Sequence, residues 1–197
     1  MGATIHSLIE QGLHGTVIDV ECHLSNSLPN IVIVGVANKA VDEAKERLRG
    51  AFTSSKLELP RKRITLNLAP ADIPKDGSSF DLPMAVAILQ ATEQIRHASL
   101  LARVLIFGEL GLDGSVRPIR GIIGKILAAK QQGYDHFIIP SANVLQADLI
   151  PDIHLLGIDN LKTLTRVLSN ERVVFQPSTS KLAEINKEHY SSDFADV

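Results

Sequence analysis

The sequence contains no tryptophan and a single cysteine, and aromatic side chains make up only 4% of its 197 residues. So few aromatic side chains argue against a platform for stacking single-stranded bases and against an aromatic carbohydrate cleft. The lone Cys22 excludes an intramolecular disulfide and a zinc site built from several thiolates. This cysteine usage suits a reducing compartment, and we expect a cytoplasmic protein.

The chain also lacks a strong net charge and a long apolar run. Its 20 basic and 22 acidic residues give a net charge of -2, so no overall field draws the protein towards nucleic acid or membrane. The N-terminus does not resemble a signal peptide, and no stretch reaches the roughly 18 apolar residues of a membrane span. We expect a soluble protein without a membrane partner, on which any basic surface is local.

Two kinds of ligand site are missing from the sequence pattern. Neither GxxxxGK[ST] nor GxGxxG occurs, so the chain is predicted to bind no nucleotide or other cofactor. The seven histidines are scattered, and none forms an HxxxH or HExxH pair. We therefore predict no metal site.

The apolar content and the hydrophobic periodicity of the sequence predict one domain of mixed secondary structure. Apolar residues make up 45% of the chain and charged residues 21%, as in ordinary globular domains. Hydrophobic periodicity predicts strands at residues 7–12, 16–24, 31–34, 64–68, 104–110, 115–119, 136–139 and 154–158. It predicts helices from residue 38 and at 79–91, 122–132 and 160–168, with a short helix from 143. The first three strands are expected to form a meander, in a fold of the α/β or α+β class with a mixed sheet.

The end of the sequence differs in composition from the rest. From residue 170 onward it becomes polar, and the segment Gln176-Pro177-Ser178-Thr179-Ser180 reads as a linker or short helix that leaves the domain. We divide the chain into a domain at 1–169 and a linker at 170–197.

Residues 45–63 are the one sharply basic segment. Seven basic residues stand there against only Glu46 and Glu58. Such a cluster can neutralise phosphates in sequence-independent DNA binding, although charge runs are usually solvated faces or subunit contacts. The candidate residues for DNA or subunit contact are Lys45, Arg47, Arg49, Lys56, Arg61, Lys62 and Arg63.

A second informative stretch reads Pro74-Lys75-Asp76-Gly77-Ser78-Ser79-Phe80-Asp81, followed later by Gly108-Glu109-Leu110 and Gly114-Ser115-Val116-Arg117-Pro118-Ile119. A serine in a strand-to-helix loop can act as a nucleophile if a base lies within hydrogen-bond reach. The alternative is an N-cap, in which Ser78 or Ser79 accepts a backbone N–H at the start of the helix.

These motifs, in this order, resemble the proteolytic domain of Lon protease. The resemblance places Ser79 at the position of the nucleophile and Ile123 at the position of the lysine base. Isoleucine cannot accept a proton, so the resemblance implies an incomplete dyad and no catalytic residue. Lys125 follows two residues later and is expected to face elsewhere on the helix. The alternative is an atypical serine hydrolase that uses Ser79 with Lys75 or Lys125 as its base.

A closer resemblance covers nearly the whole chain. Residues 23–29, 33–36, 41–47, 63–72 and 80–83 resemble the N-terminal, Lon-protease-like domain of magnesium-chelatase-like AAA+ ATPases of the ComM (YifB) type. This implies an α+β fold with βαβ units, similar to domain 2 of ribosomal protein S5. It also implies that the domain precedes its own AAA+ module, which binds ATP and Mg²⁺, in a homo-hexameric DNA helicase for branch migration during recombination or natural transformation.

We therefore interpret the chain as a non-catalytic accessory domain that serves assembly or DNA contact. Besides the serine hydrolase, one further alternative stays open, an adaptor domain that binds a partner protein.

Overall fold

Eight strands form one mixed sheet. The computed structural model describes residues 2–11, 14–35, 38–75, 78–96, 98–170 and 172–180. Within them the strands are β1 (Gly2–Gln11), β2 (His14–Ser25), β3 (Asn30–Val34), β4 (Arg63–Ala69), β5 (Val104–Ile106), β6 (Glu109–Leu110), β7 (Val116–Arg117), β8 (His136–Pro140), β9 (His154–Ile158) and β10 (Gln176–Pro177). The large sheet has the order β10-β9-β8-β5-β1-β2-β4-β3, and β6 pairs with β7 in a separate hairpin.

Helices flank this sheet. In the same residues they are α1 (Asn38–Ser55), α2 (Asp81–Ala91), α3 (Ala98–Leu101), α4 (Ile122–Lys130), α5 (Val144–Ala147) and α6 (Leu161–Ser169), with a 3₁₀ turn at Ser141–Asn143. None of the described helices is long and apolar enough to cross a membrane. The mixed α+β architecture confirms the predicted fold class. Helix α3 was not predicted, and α2 begins two residues later than expected.

The predicted three-stranded meander is wrong. Strands β1 and β2 do pair antiparallel, but β3 pairs with β4 in parallel, and β4 lies between β2 and β3. The reason is that α1 forms a crossover connection between β3 and β4. The chain therefore enters β4 in the same direction as β3, and β4 lies between β2 and β3. The predicted hairpin tip falls partly on residues 12 and 13, which lie outside the described residues.

The hydrophobic core lies on both faces of the sheet. Alternating side chains of β5 belong to different clusters, with Ile106 in the larger one and Leu105 in the smaller one. Helix α1 contributes Leu48 and Phe52 to the larger cluster, as its three-to-four-residue apolar spacing predicts. Helix α2 is buried almost all round, and Pro83 stands at its third residue, where the missing N–H is no loss.

The predicted strand at 104–110 is divided. After Ile106 the backbone turns towards the start of α2, where the Gly108 N–H donates to the Ser79 carbonyl over 3.1 Å and the Leu82 N–H donates to the Gly108 carbonyl over 3.0 Å. A Cβ atom at position 108 would lie 2.9 Å from a methyl carbon of Leu82, so glycine permits this approach. The turn starts the β6–β7 hairpin beside the Ser79 loop.

Part of the segment interpreted as a linker lies against the domain. Strand β10 pairs antiparallel with β9, and the Ser178 N–H donates to the Ile153 carbonyl over 2.8 Å. The Thr179 N–H donates to Asp148 over 2.8 Å. Residues 172–180 therefore extend the edge of the sheet instead of leaving it, because the backbone groups of β9 offer them a pairing edge. The rest of the predicted linker, 181–197, lies outside the described residues.

Candidate functional site

A cleft of about 410 Å³ brings together the three motifs that the sequence singled out. It lies where the Ser79 loop, the β6–β7 hairpin and the start of α4 meet. Its lining residues are Ser78, Ser79, Glu109, Pro118, Ile119, Arg120 and Lys125. Glu109 and Arg117, paired across the hairpin, also form an ion pair of 3.6 Å at the rim. The cleft is the candidate functional site because it holds the serine at the nucleophile position.

Neither serine caps α2, so the N-cap interpretation is wrong. The residue that precedes the helix is Phe80, and no side-chain cap accepts the N–H groups of the first turn. The Ser78 hydroxyl donates to the carboxylate of Glu109 instead. Ser79 uses its backbone carbonyl to accept the Gly108 N–H. These polar groups of the loop therefore bind residues of the hairpin and its preceding turn, and not the first turn of the helix.

Lys125 faces a different side of α4 from residue 123, as expected, but the cleft lies on the Lys125 side. Ile122 and Ile126 are buried in the smaller core cluster, and residues 123 and 125 flank that buried face of α4 on opposite sides. The cleft lies on the Lys125 side, whereas Ile123 is 39% exposed and does not line it. Among the described residues, no hydrogen bond joins the Ser79 hydroxyl to Lys125.

The electrostatic environment of Lys125 has two opposing parts. Burial lowers its pKa, and attraction to Glu10 acts in the opposite direction. The Glu10 carboxylate lies against the first turn of α4, so close that a Cβ atom at Gly124 would be 2.6 Å from its Oε1 atom. A carboxylate at a helix N-terminus is stabilised by the unpaired N–H groups there. Glu10 thus provides Lys125 with a negative partner.

Lys75, the other candidate base, is separated from the cleft. Its side chain is only 1% exposed, and its ammonium group donates to the carbonyl oxygen of Pro70 and, over 3.1 Å, to that of Ile73. Burial lowers its pKa, but it is not among the residues that line the Ser79 cleft. We interpret Lys75 as a brace for the loop after β4.

Arg47, one of the basic candidates, pairs with a buried carboxylate of the protein itself. Its Nε donates to Asp81 Oδ2 over 2.6 Å and its Nη2 donates to Oδ1 over 3.2 Å. The Leu110 N–H also donates to Asp81 Oδ2 over 3.3 Å. Burial raises the pKa of Asp81 to about 6, although Arg47 acts to lower it. The pair ties α1 to the first turn of α2 and to the hairpin beside the cleft.

The other six basic candidates lie on the surface but in two groups. Lys45 and Arg49 form ion pairs along α1, with Asp42 over 3.1 Å and with Glu46 over 3.0 Å. The second group makes no ion pair with a described residue and is exposed. It consists of Lys56, Arg61, Lys62 and Arg63, and we call it the basic loop. These four residues, at the end of α1 and the start of β4, are therefore the exposed part of the candidate set without an ion pair to a described residue.

A cluster that the sequence analysis missed lies at the other end of the sheet. One donor atom each of Asp135, His136 and His154 lies within 4.8 Å of the others. Parallel pairing of β8 with β9 places His136 opposite His154, although they are 18 residues apart in the chain. The argument from scattered histidines therefore does not hold for this pair. The sequence did contain a signal for this pair, because His136 and His154 each stand at the first position of a predicted strand.

Three comparisons with known proteins agree with this fold. A family model described as "Subunit ChlI of Mg-chelatase" matches residues 20–143. The chain is 36% identical over 181 residues, 92% of its length and 35% of the other protein, to "Uncharacterized protein YifB" of Salmonella typhimurium. It is 38% identical over 169 residues, 86% of its length and 33% of the other, to "Competence protein ComM" of Haemophilus influenzae.

A weaker similarity connects the chain with a protease. It is 38% identical over 122 residues, 60% of its length and 21% of the other protein, to "Lon protease 2" of Bacillus subtilis. These findings confirm both resemblances. The chain spans about a third of the length of YifB and ComM.

Proposed function

Because this chain belongs to the family of subunit ChlI of magnesium chelatase, we propose that it is a non-catalytic N-terminal accessory domain of an AAA+ ATPase. The whole protein then uses ATP and Mg²⁺ in a separate module to drive a homo-hexameric DNA helicase. Similarity to a protein named for competence supports a role in natural transformation, and within our proposal that role is branch migration during recombination. The proposal places this work in the cytoplasm.

The observation that carries the non-catalytic role is the state of Ser79. A serine hydroxyl is a weak nucleophile unless an adjacent base accepts its proton. Ile123 stands at the position that resembles the Lon lysine, and Lys75 is held by backbone carbonyls outside the cleft. Neither residue offers Ser79 a base, which supports a domain kept for assembly or binding.

The basic loop is the surface that we assign to DNA. Four exposed cations without a protein ion pair are available to neutralise phosphates, and such binding weakens steeply as salt rises because counterions are released. We expect weak, sequence-independent binding, because the chain as a whole has a net charge of -2.

The test compares DNA affinity of two triple variants across a range of salt concentrations. Arg61→Glu, Lys62→Glu and Arg63→Glu together should abolish binding at low salt. The matched control reverses the same amount of charge at three other exposed arginines, Arg103, Arg120 and Arg172, and should weaken binding far less. Equal loss in both variants, or binding that survives the first, contradicts the assignment.

One observation favours a second candidate function, a serine hydrolase. Lys125 lines the same cleft as Ser79, and burial lowers its pKa towards the range of a general base. Under the non-catalytic proposal, a fluorophosphonate probe should not label the wild-type chain. Labelling that is lost in Ser79→Ala and retained in the neighbouring Ser78→Ala would instead establish the hydrolase.

A further inference from the structure

We propose that Asp135, His136 and His154 form a binding site for a divalent transition-metal ion at the edge of the sheet. The site is independent of the Ser79 cleft and of the basic loop. Its three side chains come from the start of β8, the residue before it, and the start of β9. Neither the family match nor the proposed DNA function requires such a site.

The pairing of β8 with β9 holds the two histidines side by side. Their rings stack with centroids 4.4 Å apart and planes 7° from parallel. Phe175 packs its edge against the His136 ring at a centroid distance of 5.1 Å. Asp135 Oδ1 and His136 Nδ1 are 2.6 Å apart, so the carboxylate lies directly beside the stacked imidazoles. The backbone therefore brings all three groups together before any ion binds.

An unsatisfied atom in the same cluster is an independent indication. The Nδ1 atom of His154 is buried and has no hydrogen-bond partner in the part of the chain that the structure describes. A buried polar atom without a partner is costly, and such atoms in native proteins often mark a missing ion or water. By contrast, the His6–Asp19 pair of 2.7 Å elsewhere in the sheet has no third donor beside it among the described residues.

The donor set selects the class of ion. Two imidazoles and one carboxylate favour Zn²⁺, Co²⁺ or Ni²⁺ over Mg²⁺ and Ca²⁺, which prefer oxygen ligands alone. In a tetrahedral zinc site the ligands lie about 2.0–2.2 Å from the ion, so donor atoms are roughly 3.4 Å apart. The donors here lie within 4.8 Å of one another. Rotation of the imidazole rings out of their stacked arrangement has to close the remaining distance.

The site has room for further ligands. A cavity of about 500 Å³ adjoins it, lined by Asp135, Asp152, Ile153, His154, Pro177, Ser178 and Ser180. The remaining coordination positions are open to water. Because the ligands belong to adjacent strands, bound metal cross-links the start of β8 to the start of β9, beside the segment that carries β10.

The test uses two measurements on the 197-residue chain. The first is calorimetric titration with Zn²⁺ alone, and the second is visible spectroscopy with Co²⁺. We expect saturable binding of one ion per chain and the ligand-field bands of a cobalt ion with nitrogen ligands. His136→Ala and Asp135→Asn should each weaken Zn²⁺ affinity by about tenfold or more. Both substitutions are at partly exposed side chains, so circular dichroism should show an unchanged fold.

His6→Ala is the matched control, since it removes a histidine with a carboxylate partner but no third donor. It should bind Zn²⁺ as the wild type does. The proposal is overturned if the wild type shows no saturable heat, or if His136→Ala and His6→Ala have equal affinity. It is also overturned if the bound Co²⁺ spectrum is unchanged in the His136→Ala variant.

Discussion

Arg47 on α1 holds the buried carboxylate of Asp81 through two hydrogen bonds, of 2.6 Å and 3.2 Å. The residues are 34 positions apart in the chain. Asp81 is only 1% exposed, whereas the Arg47 side chain is 18% exposed. The positive charge of Arg47 is therefore paired inside the protein, where α1, α2 and the β6–β7 hairpin meet.

We predict that Arg47→Met strongly destabilises the fold. It leaves the Asp81 carboxylate buried without a counter-charge, which typically costs about 3–5 kcal/mol. Arg49→Met, which breaks only an exposed pair with Glu46, should cost about 0–1 kcal/mol. Urea unfolding measures both. If the two variants are equally stable, the Arg47–Asp81 pair does not stabilise the domain.

A second prediction concerns pH. The pKa of Asp81 is raised from 3.8 to about 6, so the folded chain binds a proton more tightly than the unfolded chain. The stability that protonation of this group contributes is present below pH 4 and is lost as pH rises through 6. We therefore expect the difference in free energy of unfolding between the wild type and Asp81→Asn, wild type minus variant, to decrease as the pH is raised from about 4 to about 7. A constant difference would contradict the raised pKa.

The third prediction contrasts two glycines. Gly35 has φ +89°, and a Cβ atom there would press against the backbone carbonyl of Leu68, so Gly35→Ala should cost about 2 kcal/mol or more. At Gly124 the Cβ atom would meet the flexible carboxylate of Glu10, and the helix gains about 1 kcal/mol in propensity. Gly124→Ala should therefore stay within about 1 kcal/mol of the wild type in thermal unfolding. A larger loss for Gly124→Ala than for Gly35→Ala would show that Glu10 is held rigidly.

The fourth prediction separates a helix cap from a loop serine. Asn160 precedes α6, and its side chain accepts the Thr163 N–H over 2.8 Å, so Asn160→Ala should cost about 1 kcal/mol. Ser79 makes no such bond at α2, and Ser79→Ala should change stability by less than about 0.5 kcal/mol. Denaturant midpoints of the two variants measure this contrast. Equal losses would restore the capping interpretation of Ser79.

The sequence by itself determined most of the secondary structure and the family. Spacings of three and four apolar residues in α1, and alternation in β2, depend only on neighbours in the chain, so helix and strand could be predicted there. The motif around Ser79 and the isoleucine at position 123 could also be interpreted without coordinates. These features are local, and each is visible within a short window of residues.

Only the tertiary structure decided which distant residues meet. The parallel pairing of β3 with β4, the burial of Arg47 against Asp81, and the position of Lys125 in the cleft all depend on how α1, α2 and α4 pack on the sheet. The pairing of His136 with His154 depends on the register of two strands. Periodicity specifies which face of an element is apolar, but not which element covers that face, because many partners bury similar apolar area.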